Sequence, residues 1–396
     1  MKNYTYTKML NGDIAVFSSF GDDIYTSDIV LSCISCIANE FSKLQPQHVK
    51  INGDITENVN SSINKLLKFG PNEFMTTSDF LTKIIWQLYI NENCFIYPIY
   101  SYINGKRIYK GLYPITPQQV DFLQDEQNIM YIKFTFGNGY THTMKYKEII
   151  HWRKNFSFND LMGGNTAGKA NTGPLLKTLN THHTLIESMG KAIKASMSVN
   201  GILKINTLLD ETKQEEERKK FEEKITNSES GIITGDLKSE YIPIDRRNPV
   251  IVDKTILDFI QNNILYHFGV SLPILTGDFN DEHYQAFYEK TLECLINSLG
   301  QAVTKTIFTD QELNQGNEII FYSQRLLFTN TKNKIAVADI LGNRGALTDN
   351  QLLELFGYKG FEGGDARHMS LNFINRDIAN QYQLSKFKEK GGKNEE

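Results

Sequence analysis

A chain of 396 residues is too long for one compact core, so two or three domains, or one elongated chain with insertions, are expected. With 40% hydrophobic and 22% charged residues it belongs with globular rather than disordered chains, and a net charge of −4 excludes a wholly basic nucleic-acid binder. Lys outnumbers Arg 33 to 9, which reads as the compositional bias of an AT-rich source, because bidentate phosphate recognition favours Arg.

Residues 1–25 are polar and aromatic without a clear period; they read as an arm or weak strand and lack the pattern of a signal peptide. A helix is predicted from Ser27, a capping residue followed by Asp28, with Val30, Cys33, Ile34, Ile37, Phe41 and Leu44 at helical spacing and Pro46 as its stop. A second helix opens with Thr76 and Asp79 in capping-box spacing and buries Phe80, Leu81, Ile84, Ile85 and Leu88. The most apolar window, Ile84 to Tyr100, is broken by Gln87, Asn91, Glu92 and Asn93, short of the ~20 apolar residues of a membrane span. Tyr-, Ile- and Phe-rich runs at Cys94–Tyr102 and Lys106–Tyr113 flank Asn104-Gly105, a hairpin signal, and Met130–Phe136 and Tyr140–Tyr146 repeat the pattern around Gly137-Asn138-Gly139. Helices and antiparallel strands together give an α+β domain.

A long helix is predicted from Pro174 through Leu175, Leu179, Ile186, Met189, Ile193 and Met197, ending near Asn200-Gly201. A charged module of about fifty residues follows. It holds a strand at Ile202–Ile205, a helix at Asp210–Lys224, and short strands at Gly231–Thr234 and Tyr241–Ile244. Helix resumes over Asp253–Phe268, so two helices bracket the module. After the loop Gly269–His283, a helix carries Tyr284, Phe287, Tyr288, Leu292, Leu295, Leu299, Val303 and Ile307 on one side. Shorter helices are expected at Lys332–Leu341 and Asp349–Phe356, a turn at Gly363-Gly364-Asp365, and a charged disordered tail from Ser385.

Few residues offer chemistry. Gly163-Gly164-Asn165-Thr166-Ala167-Gly168-Lys169 nearly spells a phosphate-binding loop, but Ala170 stands where a magnesium-binding Ser or Thr is needed and the next helix begins too late; a flexible connector is the better reading. Cys33-x-x-Cys36 lies on an apolar helix face with no second pair and reads as two core residues; with Cys94 and Cys294 the four cysteines suit a reducing compartment. Asp278, Asp281, Glu282 and His283 could hold Mg²⁺ for a metal-dependent nuclease or phosphohydrolase, yet no motif elsewhere completes such a site, and an exposed acidic loop capping the following helix is favoured. His151, His182 and His183 show neither zincin spacing nor a nucleophile partner. Lys177, Lys191 and Lys194 cluster within about 100° on the long helix, a candidate phosphate ridge or a solvated face. No catalytic, cofactor or metal residue is assigned.

In order and spacing, several segments resemble the portal proteins of tailed double-stranded DNA bacteriophages, of siphophage type. Asp28-Ile29-Val30 through Leu44 resembles the family's early helix, and Leu66-Leu67, Pro71-Asn72, Met75-Thr76 and Phe80 its "LL…PN…MT…F" signature. Leu112, Pro114, Pro117 and Val120 resemble its proline-punctuated strand, Glu148-Ile149-Ile150-His151 a strand end, and Gly168 with Gly173-Pro174 the entry to its stem. Phe268-Gly269-Val270 with Pro273 resembles "FGVP", and Asp349-Asn350 with Gly363-Gly364-Asp365 the closing "T-x-N-E…GGD" region. Asn91-Glu92-Asn93 departs from the usual Gly-Asn, Ser271-Leu272 intervenes before Pro273, and Gln351 replaces an acid.

The resemblance implies a structural, non-enzymatic protein: a ring of twelve copies at one capsid vertex, through which double-stranded DNA is packaged and ejected without sequence specificity. It implies a wing (1–171), stem helices (172–200 and 252–268), a clip between them (201–251), a tunnel loop (269–283), a wing spine helix (284–310) and a C-terminal wing and helical crown (311–396). Asp278, Phe279, Asn280, Asp281 and Glu282 would face the DNA. Implied partners are the terminase packaging ATPase, the major capsid protein or scaffold, and a head-completion adaptor, with no membrane. The place implied is the virion, and the host cytoplasm during assembly. A nuclease built on the acidic loop and a non-portal scaffold or adaptor are the competing readings.

Overall fold

In this computed structural model the described residues are 5–6, 27–53, 55–103, 105–156, 159–197, 201–205, 215–216, 219–220, 223, 239–243, 254–323 and 331–368. They form two compact units, one of residues 1–19, 35–169 and 276–396, the other of 20–34 and 170–275. The α+β expectation holds in the first.

The first unit carries three sheets. One has β12 (Asn317–Tyr322), β2 (Gln45–Asn52) and β3 (Ile55–Asn58) in that order; the second has β5 (Lys106–Ile115), β4 (Asn93–Ile103) and β9 (Ile150–Arg153). The third runs β1 (Thr5–Tyr6), β6 (Gln119–Gln124), β7 (Met130–Thr135) and β8 (Thr141–Lys145), and all pairings are antiparallel. Gly105 and Gly139 turn the two predicted hairpins with φ of 76° and 78°, values that favour glycine; Asn104 lies outside the described residues.

Helix α1 (Asp28–Phe41) stops five residues before Pro46, which sits near the start of the central strand β2, opposite Phe321 and ahead of Val49, where pairing with β3 begins, so it is a strand residue rather than the helix stop expected of it. Helix α2 (Ser62–Phe69) and the strands β2, β3 and β12 were not foreseen from periodicity. Helix α3 (Thr77–Asn91) begins with the expected capping box between Thr76 and Asp79, and buries the predicted Phe80, Leu81, Ile84, Ile85 and Leu88. One hydrophobic cluster unites Phe95, Val120, Phe122, Ile132, Phe134, Ile149 and Met162.

The organising element is a helix that begins as α7 (Asp281–Phe287), widens into one π turn over Tyr288–Leu292, and continues as α8 (Glu293–Ile307). Its limits fall three residues from the expected 284 and 310, and the π turn was not anticipated. Gly300 lets it approach β12 closely: a Cβ there would stand 3.2 Å from the Ile319 carbonyl. Trp152 Nε1 donates to Ser298 Oγ at 2.8 Å, and Tyr109 Oη to the Ile307 carbonyl at 2.5 Å. The short helix α9 (Asp310–Asn314) follows, also started by a capping box, between Thr309 and Glu312.

The C-terminal expectations hold for α10 (Thr331–Asn343) and α11 (Asp349–Leu355). The motif residue Asn350 ties α11 to the turn that follows it. Its Oδ1 accepts from Phe361 N at 2.9 Å, its Nδ2 donates to Asp365 Oδ1 at 2.9 Å, and its backbone N–H to the Gly364 carbonyl at 2.8 Å. A Cβ at Gly364 would lie 2.2 Å from Asn350 Oδ1, which is why this turn is glycine. The tail from Ser385 lies outside the described residues.

The second unit contains α4 (Gly173–Met197), β10 (Gly201–Ile205), β11 (Ser239–Pro243) and α5 (Lys254–Phe268), with α4 packed on α5 and β10 paired antiparallel to β11. Helix α4 spans 25 residues, about 37 Å at 1.5 Å per residue. Of the expected helix at Asp210–Lys224, residues 215–216, 219–220 and 223 are helical; the expected strand at Gly231–Thr234 lies outside the described residues. No helix among the described residues is long and apolar enough to cross a membrane.

Candidate functional site

The segment 269–283 is less irregular than Pro273 and Gly277 suggested. Gly269 (φ 72°) ends α5, a five-residue helix α6 (Leu272–Thr276) follows, and Gly277 (φ 83°) breaks it, leaving 269–271 and 277–280 without regular structure. Asn280 then caps α7: its Oδ1 accepts from the His283 N–H at 2.8 Å. The cap is thus an amide, and Asp281 and Glu282 occupy the first helical turn, where the helix dipole favours carboxylates.

Asp278, Phe279, Asn280, Asp281, Glu282 and His283 are all exposed. Phe279 keeps 44% of its surface, its ring 5.7 Å from that of Tyr284. Tyr284 is buried, donates from Oη to Glu40 Oε2 at 2.8 Å, and has its phenol pKa raised by burial and then by the Glu40 charge. At the first residue of the π turn, Tyr288 Oη pairs with Ser323 Oγ at 2.7 Å. The acidic tip therefore sits on a tightly fixed helix start. Among the described residues, no three His, Cys, Asp or Glu side chains gather as a metal ion would require.

On α4, Lys177 is exposed; Lys191 and Lys194 continue the same helix, with side chains outside the described residues. Cys33 is buried and Cys36 half-buried, both as free thiols, and the Cys36 pKa is raised by burial. His182 is half-buried and held below the usual imidazole range by burial and then by His183, itself exposed.

The near phosphate loop is not a flexible connector. Asn159 Oδ1 accepts from Leu161 N and Met162 N at 2.9 and 2.8 Å, and Asn165 Oδ1 from Ala167 N and Lys169 N at 3.0 Å each. These inward amides are spent on asparagines of the loop itself. Gly163 lies where a Cβ would be 2.2 Å from the Lys154 carbonyl, and Gly164, at φ 98°, where it would be 2.2 Å from the Lys169 carbonyl. The glycines serve close packing.

What holds the loop is a buried polar network that motif reading missed. Asn93, 1% exposed, accepts at Oδ1 from Gly163 N (2.8 Å) and pairs there with His151 Nε2 (3.0 Å). Its Nδ2 donates to the carbonyls of Asn91 (3.0 Å) and Gly163 (3.1 Å). The amide orientation makes His151 Nε2 a donor, so Nδ1 accepts from Tyr146 Oη at 2.9 Å. Burial, then the Arg153 charge, holds the His151 pKa well below its ordinary value, so the imidazole is neutral. Beside it Glu92, in the left-handed region at φ 54°, accepts from Asn155 Nδ2 at 2.9 Å through Oε1, while Oε2 is buried without a partner. The network is structural chemistry, a satisfied core histidine with no nucleophile.

Comparison with known proteins adds three findings. The family model described as "Phage portal protein" matches residues 28–357. The chain is 25% identical over 367 residues, 88% of its length and 85% of the relative's, to a "Probable portal protein" of Lactococcus phage p2, and equally to one of Lactococcus phage SK1. Among solved structures, a chain in the neck of a native GTA particle computed with C12 symmetry matches at a TM-score of 0.58 and 14% identity, covering 86% of this chain and 92% of that one. A chain in the neck of the empty particle, computed with C6 symmetry, matches at 0.57 with the same identity and coverage.

Proposed function

The chain belongs to the phage portal protein family, and from that premise we propose that twelve copies form a ring at one capsid vertex through which double-stranded DNA is packaged and ejected. The observation that carries this reading is the family match over residues 28–357. The first unit serves as wing, with 284–310 as its spine and the C-terminal helices as crown. Helices α4 and α5 serve as stem, the module between them as clip, and 269–283 as tunnel loop. The clip and wing dock the terminase packaging ATPase, a head-completion adaptor, and the major capsid protein or scaffold. The copies assemble in the host cytoplasm and end in the virion.

A conduit must touch DNA without holding it, because each neutralised phosphate releases counterions and adds affinity. The exposed acids Asp278, Asp281 and Glu282 supply the opposite. Repeated around a ring they form a negative collar that keeps a polyanion centred. The ammonium groups of Lys177, Lys191 and Lys194 offer non-directional attraction along the stem. Asp210–Lys224, with seven acids and five bases, suits ion pairing between neighbouring copies.

The test pairs imaging with a functional readout. Negative-stain images of the purified chain should show rings with a central hole. Phe279→Ala removes a side chain that keeps 44% of its surface, so melting and ring formation should stay nearly unchanged while packaged or retained DNA falls. A large drop in thermal stability with normal packaging would sink the tunnel-loop assignment. Mg²⁺-dependent cleavage of DNA, lost on replacing Asp278, Asp281 and Glu282 by Ala, would sink the non-enzymatic reading.

A further inference from the structure

His48 is the centre of a polar relay that a DNA conduit does not use. It lies on β2, 6% exposed, with its imidazole 4.7 Å from the Phe308 ring. Its Nε2 pairs with Asn317 Oδ1 at 3.0 Å, and Asn317 Nδ2 donates to the Glu312 carbonyl at 2.8 Å. The second bond fixes which way the Asn317 amide faces, so Oδ1 meets the ring and Nε2 carries the proton. Nδ1 is then the acceptor, and it faces Ser61 Oγ at 2.7 Å. Backbone contacts lock the pair in place: His48 N donates to Asn64 Oδ1 at 2.9 Å, and Asn64 Nδ2 to the Val59 carbonyl at 2.6 Å. Burial holds the His48 pKa below its ordinary value, with the Asn317 bond and the Glu312 charge acting the other way, so the ring is neutral at pH 7 and able to take a proton.

A merely structural histidine needs a donor and an acceptor of any kind. Here the group donating to it is a hydroxyl, and a third residue sets its tautomer, which is the arrangement of an activated nucleophile, its base and the orienter of that base. We infer that Ser61 is such a nucleophile, with His48 as general base and Asn317 as positioning residue, and that it takes an acyl group from a reactive ester. Ser61 is half-buried, so its hydroxyl is within reach of solvent. It is the N-cap of α2, but Asn64 N approaches its Oγ only to 3.4 Å, a weak bond that leaves the oxygen available. Ser62 and Ile63 open that helix, and a first turn has no intrahelical acceptor for their N–H groups, which stand beside the oxygen of an attacked carbonyl. As the bond from Ser61 Oγ to the acyl carbon forms, the hydroxyl proton passes to His48 Nδ1. The bond from that carbon to the leaving alcohol then breaks, and the departing alkoxide takes the proton from Nδ1. The products are O-acylated Ser61 and a free alcohol, with nothing oxidised or reduced. Asn317 brings no charge to stabilise an imidazolium, so one acylation per chain is expected rather than rapid turnover, and the ring reading is untouched by it.

The test treats the full-length chain with p-nitrophenyl acetate and, separately, with a fluorophosphonate probe selective for activated serines. About one equivalent of p-nitrophenolate per chain should be released in a burst, and peptide mapping should place both the acetyl group and the probe on Ser61. Ser61→Asn keeps a capping side chain, so it should melt like wild type and lose the burst. His48→Gln should slow labelling at least about 100-fold. Asn317→Leu, which leaves nucleophile and base in place but removes the acceptor for Nε2–H, should slow it as well, and Asn317→Asp, which restores that acceptor, should recover it. No label in the folded wild type, label on other residues, or an equal rate in His48→Gln would overturn the inference. Should His48→Gln fail to fold, the Asn317 pair decides: equal rates in the Leu and Asp variants leave the hydroxyl without an oriented base and overturn it too.

Discussion

Replacing Asn93 with Ala should be among the most damaging single changes in the first unit. The side chain makes four hydrogen bonds: from Gly163 N and His151 Nε2 into Oδ1, and from Nδ2 to the Asn91 and Gly163 carbonyls. Alanine returns none of them, and at 1% exposure no bulk water enters without opening the site. Each buried group left unpaired costs about 1–3 kcal/mol, and relaxation of the loop recovers part, so a loss of about 3–5 kcal/mol is expected. Asn93→Asp keeps the acceptor side, loses both donor bonds and buries a charge, and should be at least as harmful. Equilibrium unfolding in urea, followed by tryptophan fluorescence, reads this directly, because the buried Trp152 adjoins His151. A loss under about 1 kcal/mol for Asn93→Ala would show that loop 155–169 is not held through this amide and would refute the account of the network.

Gly164→Ala should destabilise strongly, since φ is 98° and a Cβ would stand 2.2 Å from the Lys169 carbonyl, whereas Gly173→Ala, with nothing within 4 Å, should be neutral or stabilising; parallel thermal melts compare them. Glu92→Gly relieves a left-handed non-glycine backbone but removes the Asn155 bond and the carboxylate whose charge supports the half-buried Lys154 ammonium, so stability should fall by about 1–3 kcal/mol; an unchanged or higher stability would show that the carboxylate is not a needed brace. His151 and His48 both titrate below the ordinary imidazole value of 6.5, each chiefly through burial, so the unfolded chain binds the extra protons first. Their stabilisation is complete above pH 6.5 and is lost as pH falls below it, by up to about 1.4 kcal/mol per pH unit for each group until its folded pKa is reached. Urea midpoints at pH 7.5, 6.0 and 5.0 should show the fall, with a shallower slope in His151→Gln; a flat profile would count against neutral buried imidazoles.

What the sequence made legible was local. The capping box at Thr76 and Asp79 needs two residue types three apart, and the chain forms it there. Glycines at 105 and 139 announce hairpins because few other residues take a positive φ. Of the strands missed, β3 pairs locally with β2 but has only four residues, too few to show a period, whereas β12 has a remote partner: it completes a sheet with β2 by pairing Tyr322 with Gln45 and Asn317 with Lys50, and no period in either segment encodes the other. The loop at 155–169 misled for the same reason. Its composition is that of a connector, and its order comes from Asn93 and Glu92, whose bonds to Gly163 and Asn155 cross 70 and 63 positions. The acidic site was legible as a cluster of charges, but its cap, Asn280, and its support, the Tyr284–Glu40 bond across 244 positions, were not.

The π turn ties the support of the acidic tip to its position. A π turn adds a residue to one turn of helix, which rotates everything before it relative to everything after it. Here it lies between the turn that carries Asp281, Glu282 and Tyr284 and the long stretch α8 fixed to β12 and β9. Tyr284 precedes it and Tyr288 opens it, each with its hydroxyl bonded to a different part of the first unit, to Glu40 and to Ser323. A strictly α-helical path through 288–292 would rotate both rings, and with them the direction in which the carboxylates leave the helix, relative to the face of α8 that packs on β12. The irregular turn therefore lets one continuous helix satisfy two demands, a face that packs against strands and a tip whose charge points away from them. On the portal reading that is what a loop facing DNA requires: repulsion acts on a passing polyanion only if the charges are held in place, and here the bonds that hold them are made by the helix beneath the loop.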